Sequence, residues 1–283
     1  MPELPEVETM RLGIAPVVGS RIVAVEEPPS GLRPLLIRPP LVQFRRKTIR
    51  RRIVEVARAG KRLVLCLDSG DRIVLEPRMT GRILVTAPPD RRHLRLVVRL
   101  EGGPFAQLVF WSLRGLGSVQ LLDPEAYAAQ LGPTKLGPDA LEVTASQLRH
   151  RLGASRRAVK VALMDQHAIA GIGNLYASEI LHRARLHPAT PCERMRSGQW
   201  ERLHTAIGAV LREAIEWRGS TLADGQYRDA ENRAGQFQHR HRVYQKAGQR
   251  CSQCGRGRIR GIVQAGRSTF YCPVCQRRAR GIQ

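Results

Sequence analysis

The sequence predicts an α+β chain of several domains: a β-rich N-terminal half, a helical middle and a small cysteine-rich end. Three observations carry this. Short apolar runs with alternating polarity recur from residue 20 to about 122, broken by Gly, Pro and Asp clusters. Apolar residues at i, i+3, i+4 and i+7 spacing mark 199–217. Four of the six cysteines fall in two pairs near the C-terminus.

Composition narrows the function classes. A chain of 283 residues fits two domains and an appendage, at roughly 150 residues per domain. Lys and Arg number 47 against 24 Asp and Glu, for a net charge of +23. A polyanion is the expected partner, and binding is expected to weaken steeply with salt. Hydrophobic residues make up 42%, enough for a normal core. No run reaches the roughly 18 apolar residues of a membrane span, and no basic segment with an apolar run opens the chain. A monomer of the cytoplasm, with no membrane partner, is expected.

The elements follow in order. Residues 1–13 read as a short helix leaving at Gly13, with Pro2, Pro5 and three acids suited to a helix start. The same segment has a second reading. Removal of Met1 would leave Pro2 with a free secondary amine, which titrates near 8 and is a nucleophile toward carbonyl-like carbons. Strands are predicted at 21–25, 62–67, 72–75 and 94–100, in an antiparallel sandwich or barrel. Lys61, after Gly60 at a strand edge, reads as a solvated edge guard. A linker follows at 131–138, then helices over 145–217. In the last of these Trp200, Leu203, Ile207, Val210, Leu211, Ala214 and Ile215 form the apolar face. Residues 219–240 read as a polar loop and the rest as short strands around the cysteines.

Two constellations carry chemistry. Cys251-x2-Cys254 and Cys272-x2-Cys275 can present four thiolates to one structural Zn²⁺. The Gly171-Ile172-Gly173 turn delivers Asn174 to a helix start, where Asn174 either caps the helix or, with the basic run 156–160, grips phosphate. Cys66 and Cys192 stand alone and read as core residues.

Together these pieces resemble the formamidopyrimidine-DNA glycosylase/endonuclease VIII family. The resemblance rests on residues 2–8, 136–138, 163–166, 171–177, 186–188 and 266–272, colinear along the chain, with 20–120 matched more loosely. It implies a β-sandwich over 1–135, a helix–two-turns–helix domain with a lesion-capping loop over 136–240, and a zinc finger over 241–283. It implies double-stranded DNA with damaged bases or abasic sites as partner, and a target nucleotide flipped from the stack. Pro2 would attack C1′ and release an oxidised purine, and the strand would be cut by β,δ-elimination. Glu3 matches the acid/base carboxylate and Glu6 a second carboxylate of positioning role, counted with the DNA-binding set. Lys61, counted with the catalytic set, matches a lysine that holds the DNA beside the lesion, and Lys160, counted with the DNA-binding set, another lysine near it. Asn174 and Arg267 match residues gripping flanking phosphates, and Arg267 is also counted with the catalytic set.

The chain departs from the family pattern in three places. Met79 fits a residue that fills the space of the flipped base. The loop expected to supply an arginine and a phenylalanine beside it is here 112–117, with Gly115 in place of the arginine and Leu116 in place of the phenylalanine wedge. Arg114, Arg78 or Arg82 is the expected substitute. The loop from Thr221 to Phe237 ends Ala-Gly-Gln-Phe, and the finger spacer is one residue longer than usual. Retained excision with relaxed or rebuilt opposite-base discrimination is therefore expected. The alternatives are an endonuclease VIII-like enzyme for oxidised pyrimidines and a non-catalytic damaged-DNA-binding protein.

Overall fold

The computed structural model of the protein describes residues 2–278. The first helix, α1 (Leu4–Ile14), starts two residues after Pro2 and continues through Gly13. Its buried face is Leu4, Val7, Met10 and Ile14. The chain continues through β1 (Arg21–Glu26), β2 (Leu36–Arg38), α2 (Leu41–Thr48), β3 (Ile53–Ala59), β4 (Arg62–Leu67), β5 (Arg72–Glu76), β6 (Gly81–Leu84), β7 (Leu94–Glu101), β8 (Gln107–Ser112), β9 (Ser118–Leu122) and α3 (Pro124–Leu131). The strands form two sheets, ordered β1-β7-β8-β6 and β2-β9-β5-β4-β3.

Two features correct the all-strand, all-antiparallel expectation. Helix α2 interrupts the strands. Its Phe44 and Thr48 face the core, and Arg45, Arg46 and Lys47 sit at its C-terminal end, where cations favour the helix dipole. Strand β2 pairs parallel to β9, through Leu36–Ser118, Ile37–Val119 and Arg38–Gln120. The core between the sheets gathers Val7, Met10, Ile14, Phe44, Ile53, Leu63, Leu65, Ile73, Leu96 and Phe110. Burying each such side chain contributes roughly 1.5–3 kcal/mol.

The helical part contains α4 (Ala145–Leu152), α5 (Val159–Leu163), α6 (Asn174–Arg183) and α7 (Ser197–Glu216), followed by the hairpin β10 (Arg260–Gln264) and β11 (Arg267–Tyr271). Thr144 and Gln147 cap α4 reciprocally. Helix α7 buries the predicted face with Ala206 added, while Ile215 is only half-buried.

The chain forms two compact units. One is the segment up to Gly132 together with Ile215–Gln238; the other is Pro133–Ala214 together with the residues from His239 on. Residues 215–238 thus pack with the N-terminal sheets rather than with the helices. The polar-loop reading of this segment is also incomplete. Tyr227 and Ala230 join the sandwich core, and Val85 N–H donates to Ala230 O at 3.0 Å.

Candidate active site and nucleic-acid interface

Pro2 and Glu3 are buried at the mouth of α1, with Glu3 as its N-cap. Glu3 and Glu6 form a reciprocal capping box, in which Glu3 N–H donates to Glu6 Oε2 at 2.8 Å. The other Glu6 oxygen accepts Ser220 N–H at 2.8 Å. Glu6 is 3% exposed, so its carboxylate binds backbone rather than faces a polyanion. It brackets the N-terminal segment against 219–220. Gly219 permits the approach, since a Cβ there would stand 2.9 Å from Glu6 Oε1. Sequence spacing gives no signal for a contact 214 residues apart.

Two residues further along α1, Glu8 accepts Arg58 Nε at 2.8 Å and Arg11 Nη2 at 2.7 Å. Burial pushes this carboxyl up, but the Arg11 and Arg58 guanidiniums outweigh it and hold the pKa below its ordinary value. Arg58 also donates to Gly60 O at 3.0 Å. It thereby ties α1 to the two-residue turn, Gly60–Lys61, between β3 and β4. Lys61 is half-buried in that turn.

A separate surface is made by the turn at 77–80 and the loop at 112–117. Thr80 Oγ1 lies 3.3 Å from Ser112 Oγ and accepts Arg114 N–H at 3.0 Å. Met79 is 43% exposed, and Arg114 Nη1 lies 3.4 Å from its sulfur. Leu116, expected as the apolar wedge, is half-buried, whereas Leu113 is 40% exposed. Gly115 has φ +60°, and a Cβ there would stand 2.8 Å from Arg33 O. A side chain at 115 would therefore require this loop or the Arg33 backbone to shift. Arg82 is not available as a substitute for the missing arginine. Its guanidinium lies 4.5 Å from the Trp111 ring centroid and donates to Gln226 O at 2.9 Å, Gly225 O at 3.1 Å and Asn232 Oδ1 at 3.1 Å. Burial, then Arg228, lowers its pKa to about 10. Arg78 is exposed and lies 3.5 Å from Glu76.

In the helical unit, Gly173 caps α6 and Asn174 is its first residue. Lys160 is fully buried, and its Nζ donates to Asn174 Oδ1 at 2.6 Å. The buried Lys160 ammonium thus meets the side chain that starts α6. Asn174 Nδ2 donates to Ser268 O at 2.9 Å, joining the helix start to the residue after Arg267. Arg267 is exposed at the tip of the β10–β11 hairpin. Gln166 braces the approach to α6 by accepting Gly171 N–H and donating to Ile172 O, each at 2.9 Å. Glu179, buried on α6, accepts the N–H groups of Arg242, Val243 and Tyr244 at 2.9, 3.0 and 2.8 Å. A lone acid within the apolar stretch 175–181 is the sequence signal for such an anchor.

The four paired cysteines converge, with all sulfurs within 4.8 Å of one another. Cys251–Cys275 and Cys254–Cys272 sulfurs are 3.8 Å apart, the spacing of tetrahedral ligands about 2.3 Å from one ion. The Gly257 and Arg256 N–H groups lower the Cys254 pKa to about 6, favouring the thiolate. Cys192 is buried, with its pKa pushed up to about 11 by that burial, whereas Cys66 is half-buried on β4. No helix among the described residues is long and apolar enough to cross a membrane.

Comparison with known proteins follows the same three-part division. The formamidopyrimidine-DNA glycosylase N-terminal domain matches residues 1–119, its H2TH domain 136–225, and the zinc finger found in FPG and IleRS 248–278. The formamidopyrimidine-DNA glycosylase of Thermomicrobium roseum is 41% identical, covering 98% of this chain and 99% of the relative. That of Chloroflexus aurantiacus is 39% identical over 98% of both. The crystal structure of MutM (Fpg) from Thermus thermophilus superposes with a TM-score of 0.83 at 37% identity, covering 97% of this chain and 98% of the other. Lactococcus lactis Fpg bound to DNA containing an abasic site gives 0.85 at 29% identity, covering 98% and 100%.

Proposed function

The chain belongs to the formamidopyrimidine-DNA glycosylase family, and from that premise we propose that it is a bifunctional DNA glycosylase and abasic-site lyase acting on oxidised purines, 8-oxoguanine and formamidopyrimidines, in double-stranded DNA. The observation that carries this reading is the bracketed N-terminus. Pro2 and Glu3 precede a capped helix whose Glu6 fixes the Glu3 backbone, so an amine and a carboxyl are held together at one point. With Met1 removed, the Pro2 nitrogen attacks C1′ of the flipped nucleotide and the damaged base leaves with the bonding electrons. Glu3 supplies a proton to the ring oxygen, the sugar opens, and a Pro2 iminium forms. The iminium acidifies the C2′ proton. Its removal expels the 3′ phosphate, and a second elimination expels the 5′ phosphate. Lys61 holds the DNA beside the lesion. Asn174 and Arg267 grip phosphates, with Lys160 orienting Asn174. Met79, Arg114 and an apolar side chain of the same loop occupy the space of the flipped base.

Cys251, Cys254, Cys272 and Cys275 hold one structural Zn²⁺, which keeps the hairpin bearing Arg267 folded. The sulfur spacing and the four-cysteine donor set support that ion. Because Gly115 offers no donor and Arg82 is engaged elsewhere, opposite-base discrimination rests on Arg114, exposed beside Met79.

Borohydride trapping tests the reading. Incubation with 8-oxoguanine DNA and borohydride is expected to give a covalent adduct that vanishes in Pro2→Gly and Glu3→Gln proteins. Tight binding with no adduct on any oxidised purine, oxidised pyrimidine or abasic duplex means a non-catalytic binder. An adduct confined to oxidised pyrimidines means the endonuclease VIII-like activity.

A further inference from the structure

Beyond the end of α6 opposite Asn174, arginines collect without acids. A cavity of about 610 Å³ is lined by Arg185, Arg194, Arg196, Arg202 and Arg277, with Gly198 and Gln199 from the first turn of α7. A second cavity of about 410 Å³ shares Arg185 and Arg277 and continues to Arg256 beside the cysteine cluster. No Asp or Glu lines either one among the described residues, and no ion pair there involves these arginines. The arrangement is fixed by the fold. Gln276 donates to Leu186 O at 2.7 Å and accepts Cys272 N–H at 2.9 Å, which sets the backbones next to Arg185 and Arg277 side by side on the second cysteine pair. The 20-residue α7 starts in the first cavity and adds the positive end of its dipole. Clustered cations without acids repel one another, so the trough favours an anionic occupant.

Its place is distinct from the Asn174 grip. Helix α6 has ten residues, about 15 Å of rise. Its first residue bonds Ser268 at the hairpin tip, and His182 near its last turn lies 3.4 Å from Cys251 Sγ. Arg185 follows that far end. Two joined cavities suit a chain of phosphates better than one isolated anion.

We propose that this trough is a second polyanion site, taking the phosphate backbone of a nucleic-acid segment other than the one gripped by Asn174 and Arg267. A protein holding two segments can pass between them without full release.

Zinc-loaded protein saturated with a short duplex bearing an uncleavable abasic analogue is titrated with a labelled undamaged duplex at low salt. A ternary complex is expected. In the Arg185→Asn/Arg277→Gln protein its affinity falls about tenfold, and the slope of log K against log salt shrinks by about two. Affinity for the first duplex, zinc content and melting temperature stay unchanged. No ternary complex, or equal binding by the double variant, overturns the proposal. Tripolyphosphate binding in the trough while the second duplex does not bind overturns the nucleic-acid assignment. Excision is scored separately: a ternary complex without excision removes the glycosylase reading and leaves this one standing.

Discussion

The N-terminal bracket and the Met79–Arg114 surface lie in the same compact unit and are built in opposite ways. The bracket is buried. Glu6 uses both carboxylate oxygens on backbone N–H groups, and Arg58 joins α1 to the turn bearing Lys61. The Met79 and Arg114 side chains are exposed, though Thr80 and Ser112 tie their backbones together. Groups proposed to make and break bonds sit where error in position is costly, since a displacement of about 1 Å can cost about a hundredfold in rate. Groups proposed to sense the opposite base sit where a side chain can be exchanged without disturbing the core.

The largest effect expected is on the bracket. Any residue retained before Pro2 turns its amine into an amide. Excision and adduct formation should then fall below detection in a gel assay, with lesion-duplex affinity changed by only a few-fold. Next is Glu6→Gln, which leaves one of two N–H groups facing an amide donor. Losing a charge-assisted bond of about 1.5–3 kcal/mol predicts a roughly 10–100-fold lower single-turnover rate at saturating enzyme. An equal loss from a Met79→Ala change would erase the distinction between the two regions. Arg114→Ala is expected to have the smallest effect on excision itself: a base contact is worth about 1–3 kcal/mol, so the preference for 8-oxoguanine opposite C over A should change by about 5- to 150-fold while the adduct yield stays unaltered.

Acid sharpens a related contrast, between the two units. Burial, then Lys246 and His239, lowers the His241 pKa to about 4. Its neutral form is favoured in the folded state. That contribution, on the order of 3 kcal/mol, is complete above pH 6.5 and is lost as pH falls from 6.5 toward 4. Glu8 is also lowered, but from 4.5, so its contribution persists above pH 4.5 and is lost only as pH falls through its lower folded value. Hydrogen exchange at pH 5 should therefore show weakened protection around 239–244 before any change in α1 and β3.

Much of this was legible in sequence. The cysteine spacing, the face of α7, four of the strands and the glycine turn before Asn174 all follow from local periodicity and spacing. What was not legible depends on distant partners. Lys160 reads as an exposed cation because nothing local reveals that its ammonium ends on Asn174. Glu6 reads as one more acid in a helix start until Ser220 arrives from 214 residues away. The 215–238 segment reads as polar because its two core residues, Tyr227 and Ala230, are too few to create a period. Helix α2 is only eight residues long, too short to stand out among strands.

Gly115 carries a consequence for substitution. A single codon change to arginine would put a Cβ against the Arg33 carbonyl in a left-handed backbone position. Placing an arginine at that site therefore requires the loop around it, or the Arg33 backbone, to shift as well. On the proposed reading, substitutions that tune opposite-base preference without moving the backbone are therefore those at positions 113, 114 and 79.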